Sequence, residues 1–183
     1  MRRIDRREFL VSMVAVVVAD RLVAAKSEPS VIMIIRHGED IGQRDFHLSA
    51  RGYQRASALP KLFGSRLPAP QVIIATRATK GSNRPVETVE PLAKQLNLPV
   101  DNRFKDDDFR ILARDLLTDG RYAGKVVLVC WHHGKIPKLA KALGVKDPPL
   151  WPDGQFDHVW VIEPEKEPAR FEDVSQKLLD GDR

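Results

Sequence analysis

Val31-Ile32-Met33-Ile34-Ile35-Arg36-His37-Gly38-Glu39 is the stretch that decides the fold of this chain. Five consecutive apolar residues, three of them β-branched Ile and one Val, read as a strand buried on both faces, as in a parallel sheet. An arginine and a histidine then stand where the strand ends, and a glycine lets the backbone turn. In open α/β sheets the carboxyl ends of strands are where ligands bind. The fixed charge of Arg36 repels a cation, so the pair is a poor metal site. It suits phosphate: the guanidinium offers planar, paired donors to the oxygens, and His37 can be a nucleophile.

Outward from this stretch, strands and helices alternate. Ser49 is an N-cap signal for a helix over residues 49–63, stopped by Gly64. Residues 71–75 form a second strand. A polar segment, 76–83, leads to a helix over 85–96 with Pro85 in its first turn. Residues 106–117 are helical by period, with Phe109, Leu112, Leu116 and Leu117 on one side. Residues 125–130 are the clearest later strand, 137–143 a short helix closed by Gly144, and 158–162 the last strand. The run Glu163-Pro164-Glu165-Lys166-Glu167-Pro168 reads as a solvated loop. Such an order predicts an α/β fold, a three-layer α/β/α sandwich around a mostly parallel central sheet.

Arg36-His37-Gly38 after a first strand resembles the signature of the histidine phosphatase superfamily, the phosphoglycerate mutase-like fold. The resemblance runs from Val31 to about Ile162. It implies that His37 takes a phosphoryl group as phosphohistidine, and that Arg36 and Arg84 bind phosphate. Arg84-Pro85-Val86-Glu87-Thr88 has the family spacing of an arginine four residues before a helical threonine. The polar segment before Arg84 is longer than the family pattern by a few residues, which displaces Thr76 and Ser82 from it more than Arg84; Ser82 is kept as a candidate extra phosphate donor. The family places a second histidine after the third strand, and Trp131-His132-His133-Gly134 offers two. Counting along the strand favours His132; counting back from the next helix favours His133, and the His-Gly step selects His133 as catalytic. Leu48-Ser49-Ala50-Arg51-Gly52 resembles the family's first helix start and reads as a cap and packing element. Family members also use an acidic proton donor at a variable position. Glu39, Asp40, Glu87 and the run Asp106-Asp107-Asp108 are candidates, with no choice among them.

The expected activity is therefore hydrolysis of a phosphate monoester or related phosphoryl compound, with a phosphorylated small molecule as substrate and no metal or organic cofactor. A zinc site of His37, His132 and His133 is disfavoured by the two arginines beside it. No large insertion is present to form a lid, which argues against the larger acid phosphatases and phytases, and against a mutase that must exclude water. The alternatives are a non-catalytic phospholigand-binding or scaffold domain of the same fold, or a phosphoglycerate mutase-like phosphotransferase.

The N-terminus carries an address. Asp5-Arg6-Arg7-Glu8-Phe9-Leu10 resembles a twin-arginine export motif, followed by the apolar run 10–19 and the small-residue segment Val23-Ala24-Ala25. Residues 1–25 are expected to be a signal peptide engaging the twin-arginine export machinery, and 26–183 one histidine phosphatase-like domain, exported and periplasmic. An uncleaved form would be membrane-tethered, although the apolar run is about half the roughly 20 residues a span needs. The formal net charge is +5, and its basic residues form no stripe of the kind a nucleic-acid binder shows. Cys130 is the single cysteine, so no disulfide closes within the chain.

Overall fold

The computed structural model describes residues 28–42 and 46–182. The expected export segment, residues 1–25, lies outside the described residues. Among the described residues, one six-stranded sheet is built from β1 (Val31–Arg36), β2 (Val72–Ala75), β3 (Val100–Asp101), β4 (Val126–Trp131), β5 (His158–Glu163) and β6 (Arg170–Ser175). Their order across the sheet is β3-β2-β4-β1-β5-β6. The first four run parallel, while β5 and β6 are antiparallel to their neighbours. The helices are α1 (Ala50–Ala58), α2 (Arg84–Leu96), α3 (Phe109–Thr118) and α4 (Ile136–Ala142).

Alternation along β1 and β4 makes the layers. Met33, Ile35, Leu128 and Cys130 point to one face, against Val89 and Leu92 of α2 and the turn Leu59–Leu62 that follows α1. Ile32, Ile34, Val127, Val129 and Trp131 point to the other, against Leu112 and Leu116 of α3 and Leu139 of α4. Every one of these strand residues is at most 1% exposed, which is why the strands read as unbroken apolar runs rather than alternating ones. The three-layer α/β/α arrangement expected from the sequence is the one observed. Trp131, Trp151 and Trp160 are all buried core residues.

Three elements differ from expectation. The first helix ends at Ala58, because Pro60 cannot continue its hydrogen bonding, and a 3-10 turn carries the chain to Leu62. The strand over 158–162 is not the last. A hairpin through the Pro/Glu-rich loop adds β6 as the edge strand. Its sequence, Arg-Phe-Glu-Asp-Val-Ser, lacks an apolar run because one side and the edge face solvent. The third difference is β3, two residues paired with β2 at the opposite edge. No helix among the described residues is long and apolar enough to cross a membrane.

Candidate active site

Register brings the two histidine motifs together. Val31 to Arg36 pair in parallel with Val126 to Trp131, ending on Arg36 opposite Trp131. The His37 amide continues the pairing by donating to the Trp131 carbonyl at 3.3 Å. Continued one step, that register sets His37 beside His132, and the two rings meet edge-on with centroids 5.2 Å apart. The period-2 rule sends Arg36 and His133 to the opposite side. His133 instead turns its Nε2 to Asp153 Oδ1 at 3.0 Å. Both histidines line the same cleft, but it is His132 that stands against His37. The sequence preference for His133 rested on the His-Gly step; register sets the His132 ring against His37, while His133 also lines the cleft.

His37 is 2% exposed. Its Nδ1 lies 2.8 Å from the Gly38 carbonyl. A carbonyl only accepts, so that contact holds the proton on Nδ1 and leaves the lone pair on Nε2. Burial, followed by His132, Arg36 and Arg84, pushes the His37 pKa down to about 3, against a lesser upward pull from the Gly38 carbonyl. Burial, with Arg84 next, lowers His132 to about 4, and burial, with Arg36 next, lowers His133 as well. At neutral pH the cleft floor therefore presents a neutral, oriented imidazole.

The glycine turn is held from two directions. The Gly38 amide donates to Thr88 Oγ1 at 2.8 Å, and that hydroxyl donates to the Arg84 carbonyl at 2.8 Å. Thus the Arg84–Thr88 spacing locks the first turn of α2 to the histidine loop. From the other side, the first turn of α1 presses on the same loop. Ser49 caps the helix by accepting from the Gly52 amide, and both its amide and its hydroxyl donate to the Glu39 carbonyl.

Arg36 lies under the loop between α4 and β5. Its Nη1 donates to the Asp153 carbonyl, and its guanidinium carbon stands 3.8 Å from the centre of the Phe156 ring. Nε is buried with no protein partner. Burial lowers the Arg36 pKa to about 10, so it remains a cation at neutral pH. Arg84 is the first residue of α2. Its Nε donates to Ser82 Oγ at 3.0 Å and its Nη1 to Asp40 Oδ2 at 2.7 Å. Ser82 thus orients Arg84 in this structure rather than facing the cleft itself. A guanidinium at a helix start adds its donors to the free amides there, a combination suited to anions.

The acidic candidates separate by geometry. Glu39 points away from the cleft to Arg55 Nη2 at 2.7 Å and Arg51 Nε at 3.1 Å. Burial opposes ionisation, yet these hydrogen bonds hold Glu39 below its ordinary pKa. Glu87 accepts from the Leu48 amide and from Asn83 Nδ2, contacts His47, and is likewise held low against its burial. Neither keeps a proton to give. Asp40 and Asp106 both line the cleft. In contrast to Glu39 and Glu87, Asp106 has its pKa raised, by burial, and its Oδ1 is buried without a hydrogen-bond partner. Asp107 pairs with Lys135 at the rim.

The cleft has a volume of about 460 Å³. Asp153 and Phe156 contribute to its surroundings although the sequence did not single them out. Their segment, Trp151-Pro152-Asp153-Gly154-Gln155-Phe156, has no periodicity, but its place between the histidine-bearing β4–α4 unit and β5 is where a covering loop would come. A larger cleft of about 610 Å³ opens beyond Phe156, lined by Glu39, Arg51, Arg55 and Asp182. Its cations are already paired with its carboxylates, so it lacks the anion-seeking character of the smaller one.

No known family model matches the sequence, and no curated protein matches it. Solved structures do. The chain is similar to a mycobacterial glucosyl-3-phosphoglycerate phosphatase in complex with inorganic phosphate, at 18% identity and a TM-score of 0.55, over 78% of this chain and 95% of that one. It is similar to the protein histidine phosphatase SixA complexed with tungstate, at 18% identity and a TM-score of 0.57, over 80% and 97%. It is also similar to a phosphoglycerate mutase from Bacillus anthracis, at 14% identity and a TM-score of 0.51, over 82% and 94%. The fold is phosphoglycerate mutase-like, and these structural neighbours are members of the histidine phosphatase superfamily.

Proposed function

We propose that this protein is a phosphohydrolase that works through a phosphohistidine on His37. The observation that carries the reading is the state of that ring. Nδ1 is tied to a backbone carbonyl, Nε2 keeps its lone pair toward the cleft, and the ring is neutral between two guanidinium groups. In the proposed reaction the Nε2 lone pair attacks phosphorus and the bond from phosphorus to the leaving group breaks. Arg36 and Arg84 neutralise the phosphoryl oxygens, and His132 donates to them. Asp106, its pKa raised by burial, supplies the proton the leaving group needs. Water then attacks the phosphohistidine, releasing orthophosphate and restoring Nε2. Structural likeness to proteins whose names denote phosphatases supports the reading.

The test is chemical. A radiolabelled or mass-tagged phosphoenzyme should form with an aryl phosphate, survive alkali, decay in acid and vanish in His37→Ala. Asp106→Asn should slow alkyl phosphates far more than aryl phosphates, whose leaving groups need no proton. Turnover no greater than that of His37→Ala would reject the enzyme reading in favour of a phospholigand-binding domain. The substrate class in this proposal is a phosphorylated small molecule. The sequence of residues 1–25 motivates a second part of the proposal: export by the twin-arginine machinery to the periplasm, with cleavage after Ala25. The mass of the N-terminus from exported protein checks it, and an intact Met1 rejects the cleavage.

A further inference from the structure

Asp40 stands where a substrate oxygen would have to go. Its Oδ2 accepts from Arg84 Nη1 at 2.7 Å and lies 3.9 Å from His37 Nε2. Its Oδ1 is held by the Gly42 amide at 3.0 Å. A phosphoryl group ready for attack brings its phosphorus to about 3–3.5 Å from the nucleophilic atom, with its oxygens on the same guanidinium. A carboxylate and a phosphate cannot both occupy that place.

Resting on the phosphatase reading above, we propose that Asp40 is an internal anion that competes with phosphate for Arg84 and thereby drives the product off the site. Two arginines in a buried floor would otherwise hold orthophosphate tightly, since every contact made to the phosphoryl group of a substrate is also made to the product. Asp40 weakens binding of that group in substrate and product alike. Uniform weakening leaves the barrier of the chemical step unchanged, and release becomes faster. The return of the carboxylate to Arg84 replaces the departing dianion, so the guanidinium is never left buried without a counter-charge.

Asp40→Asn keeps the shape and removes the charge. Repulsion between like charges this close in a partly screened cleft sets the expected scale. Orthophosphate should inhibit Asp40→Asn about 10- to 100-fold more tightly than the wild-type protein, about 1.4–2.8 kcal/mol, and KM for an aryl phosphate should fall in the same direction. An unchanged or weaker inhibition constant overturns the proposal, and a lower kcat with unchanged inhibition would make Asp40 a proton donor instead. Tungstate bound to the wild-type protein gives a second reading that needs no variant. A crystal structure should show Asp40 displaced from Arg84, and an anion bound with the Asp40–Arg84 pair intact overturns the competition. Wild-type turnover through His37 with no change in Asp40→Asn defeats this proposal alone. Wild-type turnover equal to that of His37→Ala defeats the phosphatase reading and this one with it.

Discussion

Replacing Gly52 with alanine should damage both stability and catalysis, although it adds a good helix former to a helix. In an exposed helix interior, Gly→Ala stabilises by roughly 0.5–1 kcal/mol. Here a Cβ on Gly52 would stand 2.2 Å from the Glu39 carbonyl oxygen and 3.0 Å from the Glu39 amide nitrogen. Non-bonded atoms settle at about 3.5–4.0 Å, so α1 and the histidine loop must part by about 1 Å. The contact is close from the other side too: a Cβ on Gly38 would meet the Gly52 carbonyl at 3.0 Å. Overpacking of this kind costs about 1–3 kcal/mol, which outweighs the helix gain. For a chain of this size the melting temperature should drop by about 2–4 °C per kcal/mol. The shift also moves Gly38, whose carbonyl fixes the His37 tautomer and whose amide is anchored on Thr88. A misplacement of about 1 Å costs about 100-fold in rate. Thermal melts and aryl phosphate kinetics on Gly52→Ala measure both effects, with Ser57→Ala on the exposed face of the same helix as the control. A raised melting temperature with full kcat would refute the claim that Gly52 sets the spacing of the histidine loop.

Acid should destabilise the protein early. His37 and His132 have folded pKa values lowered to about 3 and about 4 from an unfolded value of 6.5, so their contribution is complete above pH 6.5 and is lost as pH falls. Between pH 6 and 4.5 the unfolded chain binds up to two more protons, a slope approaching about 2.7 kcal/mol per pH unit. Denaturant titrations at pH 7.5, 6 and 5 read this directly; His37→Ala should remove about half of the slope, and a wild-type stability flat from pH 7 to 5 would contradict it. The C-terminal Asp182 should act as a stabilising partner of Arg55, both side chains being 2% exposed and 2.8 Å apart. Burial opposes ionisation of Asp182, but Arg55 and the Leu179 and Leu178 amides outweigh it and draw its pKa to about 2. Asp182→Asn leaves Arg55 its bond to Glu39 and should cost about 1–3 kcal/mol, whereas Arg55→Leu leaves two carboxylates with only the half-exposed Arg51 as counter-charge and should cost about 3–5 kcal/mol. The reverse order in chemical denaturation would show that Arg55 is not the centre of that cluster.

The strands legible in the sequence are those buried on both faces. β1, β2 and β4 sit inside the sheet, where nothing interrupts the apolar run, and β5 is flanked by β1 and β6. β6 was not legible because an edge strand needs only one apolar face, and its Glu172 and Asp173 are exposed. Arg36, His37, Arg84 and both histidines after β4 were legible as cleft residues because each follows a strand or starts a helix, at positions where the chain must turn. Two things were not. The choice between His132 and His133 is a matter of register, which depends on how β4 pairs with β1 and not on the motif. The roles of the acidic residues are set by partners distant in sequence. Glu39 is turned away from the cleft by Arg55, which also holds Asp182, 143 positions away in the chain, while burial outweighs the pull of Lys135 and Lys138 on Asp106 and leaves its Oδ1 without a hydrogen-bond partner among the described residues.

Adjacent residues of a strand point to opposite faces, and this explains why the cleft needs both helical layers. Arg36 falls on the side of α3 and α4, where Asp106, His133 and the covering loop meet it. His37 falls on the side of α1 and α2, where Thr88, Arg84 and Gly52 hold its loop. In the proposed reaction the two side chains act on one phosphoryl group, so that group would sit beyond the carboxyl end of β1, straddling the sheet. Burial of the imidazoles themselves, with two guanidinium groups beside them, makes their protonation costly, and the histidines stay neutral. The same desolvation thus keeps the proposed nucleophile neutral and gives a protein expected to lose stability as the histidines of its unfolded chain take up protons. Acid lability and the neutral state of His37 are therefore predicted to be linked: a variant that restores its pKa toward 6.5 should gain acid stability, and its phosphoenzyme formation should fall as the pH drops below 6.5, where the original ring stays neutral.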